Sequence, residues 1–362
     1  MSLRLHRLTL SHFRSHLRAE AVFDGRPVVF HGANGAGKTN LLEAISLLSP
    51  GRGLRRANAE ELGAQPAGLG WKIEGEIARD GMFHELETGA APGQSRTVRI
   101  DGKASPQTGL GRLMPMLWLT PAMDRLWIEA AEGRRRFLDR LVLGFEPEHA
   151  EAAVGYEKAM RQRNKLLRDN VTDPRWYGAL EARMAETGGA MTLNRRATLK
   201  RLAEAADPDS PFPQPELTLD DDTPGDLAEA LADSRGRDRQ AGRTLVGPHR
   251  ADLSALWTTR GRPAAQCSTG EQKALLISTV LAHARALQAQ VGHAPILLLD
   301  EVAAHLDDAR RAALYDAICG LGAQAFLTGT GPELFTPLGD RAQVFRVSET
   351  DGLSRLAEED LP

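Results

Sequence analysis

The residues most suited to chemistry lie at Gly32–Thr39, GANGAGKT, which fit the pattern G-x-x-x-x-G-K-[ST]. The apolar run Pro27–His31 precedes them and a helical pattern over Lys38–Leu48 follows, which is the context that a phosphate-binding loop requires. The glycines let the backbone curl so that successive N–H groups point at a phosphate, and the start of the helix adds a partial positive charge. An ordinary glycine-rich turn would not explain a lysine and a threonine at these offsets. The sequence therefore predicts a nucleotide-binding loop.

The expected ligands of this loop are ATP and Mg²⁺. Lys38 is expected to bridge the β- and γ-phosphates, and so to serve catalysis as well as binding, while Thr39 is expected to hold Mg²⁺. The residues expected to contact the nucleotide are Gly32, Ala33, Asn34, Gly35, Ala36, Gly37, Lys38, Thr39 and Asn40.

A second motif, Ile296–Glu301 or ILLLDE, is an apolar strand that ends in two carboxylates. Asp300 is expected to hold Mg²⁺ through water, and Glu301 to polarise the attacking water as the catalytic base. Alone the run is weak evidence, because buried strands are often followed by surface acids, but its pairing with the phosphate loop favours a catalytic role. The gap of 262 residues between Lys38 and Asp300 predicts a nucleotide-binding core that is split by inserted structure.

The segment Ser268–Lys273, STGEQK, lies about one helix before that strand. Ser268 and Glu271 form a capping box, whose simplest interpretation is the start of a helix. Between two nucleotide motifs, the segment also resembles the signature motif of ABC-type ATPases, and Ala304–Asp307 resembles their D-loop. The resemblance implies ATP-dependent dimerisation, with the signature motif touching the nucleotide of the opposite subunit. It places at the nucleotide Ser268, Gly270, Glu271 and Asp307.

The elements that must position these motifs form two α/β regions around a helical one. The first region contains predicted strands and a meander with hairpin turns, at Leu3–Leu10, Trp71–Ala78, Met82–Thr88 and Arg96–Ile100. The last third contains the predicted strands and helices Asp252–Trp257, Thr269–Gln290, Pro295–Leu299, Asp308–Cys319, Gln324–Thr328 and Gln343–Val347. We therefore predict an α/β head with a mixed sheet and an antiparallel β-meander, and an inserted α-helical arm. The resemblance of the signature segment and the D-loop implies that this head is an ABC-type P-loop ATPase. The expected bounds are 1–121 and 245–362 for the head and 122–244 for the arm, or lobe II.

Charge is segregated along the arm. Arg134–Arg201 holds 15 basic and 9 acidic residues, whereas Leu202–Asp233 holds 10 acidic residues and no basic ones. The basic clusters are equally consistent with a DNA-binding stripe and with a solvated helix face paired with acids. Three consecutive arginines, Arg134–Arg136, cannot share one helix face, so at least one is expected in a structural ion pair. The residues expected to bind DNA are Arg134, Arg161, Arg163 and Lys165.

Four further segments resemble the RecF family of recombination-mediator ATPases, in the expected order and over nearly the whole chain. They are Phe13-Arg14, Arg134–Asp139, Arg161–Leu167 and Gly247–Asp252. The resemblance implies a DNA-binding, SMC-like ATPase that forms an ATP-dependent homodimer on double-stranded DNA beside single-stranded gaps, at ds/ss junctions, and helps RecO and RecR to load RecA. It also implies slow, DNA-stimulated ATP hydrolysis that serves as a switch, in DNA repair, replication and the SOS response.

The chain departs from the family pattern at several places. Ala251 stands where the last of those motifs ordinarily has an acid, and Pro121–Asp124 where Pro-Glu-Asp or a similar run is expected. No glutamine is well placed for a Q-loop, with Gln94 and Gln107 candidates by position only. Thr328–Thr330 occupies the switch-histidine position, so sensing of the γ-phosphate is expected to fall to a hydroxyl.

Composition excludes several other classes of protein. The chain has 362 residues, 42% of them hydrophobic and 26% charged, with 45 Lys+Arg against 48 Asp+Glu, as in a globular protein. No window approaches the ~18 apolar residues of a membrane span and no leader precedes the first strand, so a cytoplasmic location without a membrane partner is expected. Two cysteines are too few for a disulfide framework.

Two alternative functions stay open at this point. One is the nucleotide-binding subunit of an ABC transporter, which the large insert and the missing switch histidine disfavour. The other is a short-armed chromosome protein of the SMC or Rad50 type. The arms of such proteins need long uninterrupted heptads, whereas prolines break this insert.

Overall fold

A computed structural model describes residues 3–64 and 68–360, and the chain divides into two units. The first unit comprises Met1–Asp124, Asp207–Pro213 and Ser268–Pro362, and the second comprises Arg125–Ala206 and Gln214–Cys267. The strands are β1 (Leu3–Phe13), β2 (His16–Val22), β3 (Val28–His31), β4 (Trp71–Arg79), β5 (Met82–Ala90), β6 (Thr97–Ile100), β7 (Lys103–Ala104), β8 (Met116–Leu119), β9 (Pro215–Asp220), β10 (Asp252–Trp257), β11 (Arg262–Pro263), β12 (Ile296–Leu299), β13 (Ala325–Gly329), β14 (Gln343–Thr350) and β15 (Leu353–Glu359). The α-helices are α1 (Lys38–Ser46), α2 (Leu110–Leu113), α3 (Ala131–Phe145), α4 (His149–Arg168), α5 (Arg175–Glu204), α6 (Leu227–Ala241), α7 (Thr269–Val291) and α8 (Asp308–Gly320). Within this described part of the chain, no helix is both long and apolar enough to cross a membrane.

One sheet of the first unit brings the two nucleotide motifs together. Its strand order is β15-β14-β3-β13-β12-β8, and all neighbours are parallel except β15, which pairs antiparallel at the edge. Every residue of β3, β12 and β13 is buried, as expected for parallel strands covered on both faces. The phosphate loop follows β3, and Asp300 and Glu301 follow β12, with β13 between these strands. The carboxyl ends of neighbouring parallel strands lie at the same edge of a sheet. Both motifs therefore lie at that edge.

The other sheet of the first unit is the antiparallel meander β2-β1-β4-β5-β6-β7. Buried and partly exposed residues alternate along β4, which is the pattern of a strand with one face on the core. The buried apolar side chains of both sheets and α1 form one core cluster. At its centre the rings of Phe23, Phe30, Phe326 and Phe345 lie with centroids 5.1 to 6.5 Å apart. The predicted α/β architecture with an antiparallel meander is confirmed.

The second unit consists of α3, α4, α5, α6 and the small antiparallel sheet β11-β10-β9. Its core includes Tyr156, Met184 and Leu231 from three different helices. The predicted helical character is confirmed, but the bounds differ from those expected. Strand β10, which we assigned to the head, pairs with β9, so the second unit continues to Cys267 rather than ending at residue 244. The proline-containing segment Asp207–Pro213, expected in the arm, belongs to the first unit.

Candidate nucleotide site and arm surface

The phosphate loop adopts backbone conformations that favour glycine. Gly35 and Gly37 have φ angles of 84° and 102°, in the left-handed region that residues with a Cβ rarely enter. A Cβ at Gly37 would also overlap the hydroxyl of Ser354, and one at Gly32 would overlap the carbonyl of Val347. The glycines of the motif therefore let the loop pack closely against β14 and β15.

Polar side chains from two neighbouring segments hold the loop. Ser354 on β15 donates from Oγ to the carbonyl of Ala36 at 2.7 Å. His16 on β2 places Nε2 3.2 Å from the carbonyl oxygen of Gly37. Burial lowers the pKa of His16, which favours the neutral imidazole at this position. Neither anchor was predicted, because β2 and β15 were not recognised in the sequence.

The turn after β1 is tied to helix α1. Asn40 donates from Nδ2 to Ser15 Oγ at 2.8 Å, and its Oδ1 accepts from Arg55 at 2.7 Å. The wholly buried Glu43 accepts two hydrogen bonds of 2.9 Å from Arg14. Asn40 was predicted to contact the nucleotide, and the structure uses its side chain to anchor the helix. Arg14, singled out in the sequence as part of a family motif, holds the start of the site in place.

Lys38 lies inside the loop that the sequence predicted. Its Nζ donates to the carbonyls of Gly32 and Ala33, at 2.7 and 2.9 Å. Burial lowers the pKa of Lys38, although the nearby carboxylates of Glu301 and Asp300 act in the opposite direction. Both hydrogen-bond acceptors of the ammonium are neutral carbonyls, so it can turn to an anionic phosphate without breaking a hydrogen-bonded ion pair.

A cluster of hydroxyls and a carboxylate joins the loop to β12 and β13. Thr39 Oγ1 donates to Asp300 Oδ1 at 2.9 Å, and Thr328 Oγ1 donates to the same oxygen at 2.8 Å. Asp300 is 5% exposed. The structure thus brings together the two residues that the sequence assigned to Mg²⁺. A hydroxyl and a carboxylate are the hard oxygen ligands that Mg²⁺ prefers, so the residues present fit the ion.

Glu301, the predicted catalytic base, has a strained backbone. Its φ angle is 53°, in the left-handed region, and its N–H donates to Thr328 Oγ1 at 2.9 Å. The sequence suggested that a hydroxyl of Thr328–Thr330 senses the γ-phosphate. The structure instead gives the buried Thr328 hydroxyl two partners inside the protein, Asp300 and Glu301, and leaves Thr330 exposed. Thr328 therefore positions both carboxylate residues.

The predicted capping box at the signature segment is confirmed. Ser268 N–H donates to Glu271 Oε2 at 2.8 Å, and Ser268 Oγ accepts from Glu271 N–H at 3.4 Å. The start of α7 is exposed, and apart from the neighbouring backbone of α7 itself no described atom lies within 4 Å of a Cβ built on Gly270. The fold itself therefore does not require a glycine there. Asp307, the predicted D-loop contact, caps α8 by accepting from Arg310 N–H at 2.8 Å.

Arg163, one of the predicted DNA contacts, is wholly buried. Its guanidinium donates to Glu181 at 3.0 Å, to Asp238 at 2.7 Å, and to Thr244 and the carbonyl of Leu231. A buried arginine with four partners cannot reach a DNA phosphate, so this prediction is wrong.

Arg134 is also a structural residue. It makes a bidentate pair with Asp252 with both distances 2.7 Å, and this hydrogen bonding raises the pKa of Arg134. Its side chain is only 13% exposed, so the predicted DNA contact is corrected to an ion pair. The expectation that one of the three consecutive arginines is paired in this way is confirmed. Arg161 and Lys165, which were also predicted to bind DNA, are exposed on α4.

Comparison with known proteins gives consistent matches over nearly the whole chain. Residues 4–352 match the RecF/RecN/SMC N terminal domain family. The chain is 50% identical to the DNA replication and repair protein RecF of Rhizobium leguminosarum bv. trifolii (strain WSM2304), and 47% identical to that of Rhizobium meliloti (strain 1021). Both comparisons cover 95% of this chain and 97% of the relative.

Solved structures with the same fold include the recombination mediator protein RecF-ATPrS in the RecFOR pathway, with a TM-score of 0.81 at 22% identity over 98% of both chains. The Smc head domain with an extended coiled coil from Pyrococcus furiosus, bound to the C-terminal domain of ScpA, has a TM-score of 0.56 at 16% identity, over 99% of this chain and 97% of that one. These similarities confirm the predicted ABC-type ATPase fold.

Proposed function

Because the chain belongs to the RecF family, as its curated relatives at up to 50% identity show, we propose that it is an ATP-dependent DNA-binding protein of recombinational repair and replication restart. In this proposal ATP gates homodimerisation on double-stranded DNA near single-stranded gaps, and the dimer helps RecO and RecR to load RecA in the cytoplasm. Slow, DNA-stimulated hydrolysis then resets the dimer. Membership of this family removes the support for an ABC transporter subunit.

The observation that carries the proposal is the convergence of four side chains at one sheet edge. Lys38, Thr39, Asp300 and Glu301 come from two segments far apart in the chain, and a hydrogen bond joins Thr39 to Asp300. Lys38 supplies a cation for the phosphates, and Glu301 is the base that polarises the attacking water. A bound Mg²⁺ would supply further positive charge against the phosphate oxygens.

The start of α7 supports the dimer. Ser268 and Gly270 are exposed, and the capping box leaves a helix N-terminus at the surface, where its partial positive charge favours an anion. The space around Gly270 is open, so another molecule can approach the backbone closely at this position. We propose that this molecule is the ATP bound by the second subunit.

Complementation between two inactive variants tests the shared site. Ser268→Arg places a bulky side chain in the proposed interface and should abolish dimerisation and hydrolysis while leaving ATP binding by the monomer intact. Lys38→Ala should abolish ATP binding. A mixed dimer of the two keeps one composite site with an intact phosphate loop and an intact signature segment, so part of the ATPase activity should return.

The control is Ser95→Arg, which adds the same side chain at an exposed serine between β5 and β6 in the same unit. It should leave dimerisation and hydrolysis unchanged. If the mixture stays inactive while both variants are folded and Lys38→Ala alone fails to bind ATP, the nucleotide assignment stands and the site shared between subunits is refuted.

A further inference from the structure

Helix α4 carries basic residues along one exposed face. We name as the α4 stripe Lys158, Arg161, Lys165 and Arg168, all of which are exposed. Their spacings of three, four and three residues place them within roughly 80° of one another around the helix, at ~100° per residue. At ~1.5 Å per residue, the stripe extends about 15 Å along the helix axis.

The opposite face of α4 fixes which way the stripe points. Tyr156, Ala159, Arg163 and Leu167 are buried, and their spacing of three to four residues defines a second face, roughly 180° from the stripe at ~100° per residue. Arg163 is held there by its ion pairs with Glu181 and Asp238. Rotation of the helix would break these buried pairs, so the stripe is held outward by the core of the second unit.

The cations of the stripe are not neutralised locally. The structure shows no ion pair between any of the four and an acid of the described chain, although the exposed Glu157 and Asp169 lie on or next to the same helix. On the neighbouring helix α5, by contrast, Arg175 pairs with Asp173, Arg183 with Glu186 and Lys200 with Glu204. The solvated-face interpretation, in which charges are matched by nearby acids, therefore describes most of the exposed cations of α5 and not the stripe.

A fifth cation lies beside the stripe. Asn164 Oδ1 on α4 accepts from both the N–H and the hydroxyl of Thr244, at 2.8 and 2.7 Å. A Cβ built on Gly242 would lie 3.9 Å from Arg168 Cγ. Arg243 is exposed and lies in the chain between Gly242 and Thr244, the two residues that contact α4. It is thus held next to the C-terminal end of α4. The basic surface comes from two segments whose relative position is fixed by hydrogen bonds.

We propose that the α4 stripe, with Arg243, binds the phosphodiester backbone of DNA without reading its sequence. The inference rests on the proposed function, because it names the surface of the DNA-binding activity. Duplex DNA carries a charge about every 1.7 Å of its axis, so ~15 Å of contact offers a phosphate to each cation. No aromatic side chain lies among the four, and phosphate contacts by Lys and Arg position DNA but do not specify bases.

The test compares two quadruple variants of the full chain. The stripe variant is Lys158→Ala, Arg161→Ala, Lys165→Ala and Arg168→Ala. The control removes four exposed basic residues of the neighbouring helix α5, through Arg175→Ala, Arg183→Ala, Arg196→Ala and Lys200→Ala. Both lose the same net charge within the same unit. Affinity for two unrelated fluorescent duplexes is measured by anisotropy across a sodium chloride series, in the presence of ATP.

Each neutralised phosphate contributes about −0.9 to the slope of log affinity against log salt. With four phosphate contacts removed, the slope of the stripe variant should be less negative than that of the wild type by roughly 3.6 on both duplexes. The control should keep the wild-type slope. ATP affinity and melting temperature should be unchanged in both variants, which shows that the head and the arm remain intact.

Four results would overturn the inference. A stripe variant with the wild-type slope and affinity, or a control that loses as much, would remove the assignment to α4 while leaving DNA binding itself in place. Wild-type protein that binds no duplex with or without ATP would refute the DNA-binding function as well. Displacement of the DNA by poly-glutamate as readily as by unlabelled duplex would point to an acidic protein surface instead of a phosphodiester.

Discussion

Replacing Thr328 by valine should slow ATP hydrolysis while leaving ATP binding intact. Valine has a similar shape but no hydroxyl, so it removes both the hydrogen bond from Glu301 N–H and the one to Asp300. Thr328 is only 1% exposed, so water cannot easily replace either bond. Asp300 keeps its hydrogen bond from Thr39, and Lys38 is untouched, so the parts of the site that are proposed to bind nucleotide remain.

The magnitude follows from the lost hydrogen bonds. A buried donor left unpaired costs about 1–3 kcal/mol, which the variant should lose in free energy of unfolding. The same bond helps to hold Glu301 at a φ of 53°, a conformation that costs roughly 1–2 kcal/mol for a residue with a Cβ. Without it the backbone should relax and move the carboxylate. A displacement of ~1 Å can cost about 100-fold in rate, so we expect hydrolysis to be roughly 10–100 times slower.

The assay is single-turnover hydrolysis with protein in excess over labelled ATP, because the steady-state rate is expected to be slow. Equilibrium binding of ATP and a urea melt are measured on the same samples. The matched control is Thr328→Ser, which keeps the hydroxyl and should hydrolyse ATP at close to the wild-type rate. A folded valine variant with the wild-type rate would refute the positioning role. A serine variant as slow as valine would show that the methyl group, and not the hydroxyl, is what matters.

Three further predictions concern single residues. Lys38→Ala should lose stable ATP binding because its ammonium is the loop's side-chain cation, and normal affinity in a binding titration would refute the phosphate assignment. Glu301→Gln should bind ATP but fail to hydrolyse it, since the amide cannot act as a base, and normal turnover would remove Glu301 as the catalytic carboxylate. Arg163→Ala should destabilise the protein by about 3–5 kcal/mol in a urea melt, because it removes the buried cation that pairs with Asp238 and Glu181. Glu181 keeps its ion pair with Arg235, whereas Asp238 loses the guanidinium that offsets its buried charge. The control Arg161→Ala should stay within about 0.5 kcal/mol, and equal effects would refute the distinction between the two faces of α4.

The nucleotide motifs could be predicted because their residue types are fixed by chemistry at short spacings. The loop after β3 and the carboxylates after β12 each follow an apolar strand, and parallel strands place them at one edge. Thr328 could not be assigned in this way. Its role depends on β13 lying between β3 and β12, and the order of strands in a sheet is a tertiary property that no local pattern records.

Among the strands that the sequence analysis missed, β8 and β15 were missed for different reasons. β8 is a run of four apolar residues after a proline, too short to distinguish from a buried loop by periodicity. β15 follows Asp351-Gly352, the kind of hairpin signal that identified the meander, so it could have been found. Its omission concealed Ser354, which holds the phosphate loop.

In the arm, a count of charges did not identify the buried arginine, whereas helical periodicity would have identified it. Arg163 is two residues from both Arg161 and Lys165, which puts it about 200° around the helix from each, at ~100° per residue. One face of α4 is exposed, so the other must be buried, and Arg163 had to lie on it. Its partners Glu181 and Asp238 come from α5 and α6, and only the tertiary structure reveals them. The arm's second boundary was misplaced for the same reason, since β10 pairs with β9, which precedes it by more than thirty residues.

The central claim is that ATP joins two chains through a nucleotide site that each completes for the other. Sedimentation velocity of Glu301→Gln, which should hold ATP without hydrolysing it, tests this most directly when it is run without nucleotide, with ADP and Mg²⁺, and with ATP and Mg²⁺. We predict a monomer in the first two conditions and a species of twice the mass with ATP, and a monomer again when Ser268→Arg is added. A single sedimentation coefficient in all three conditions, with ATP binding demonstrated in the same sample, would contradict the account.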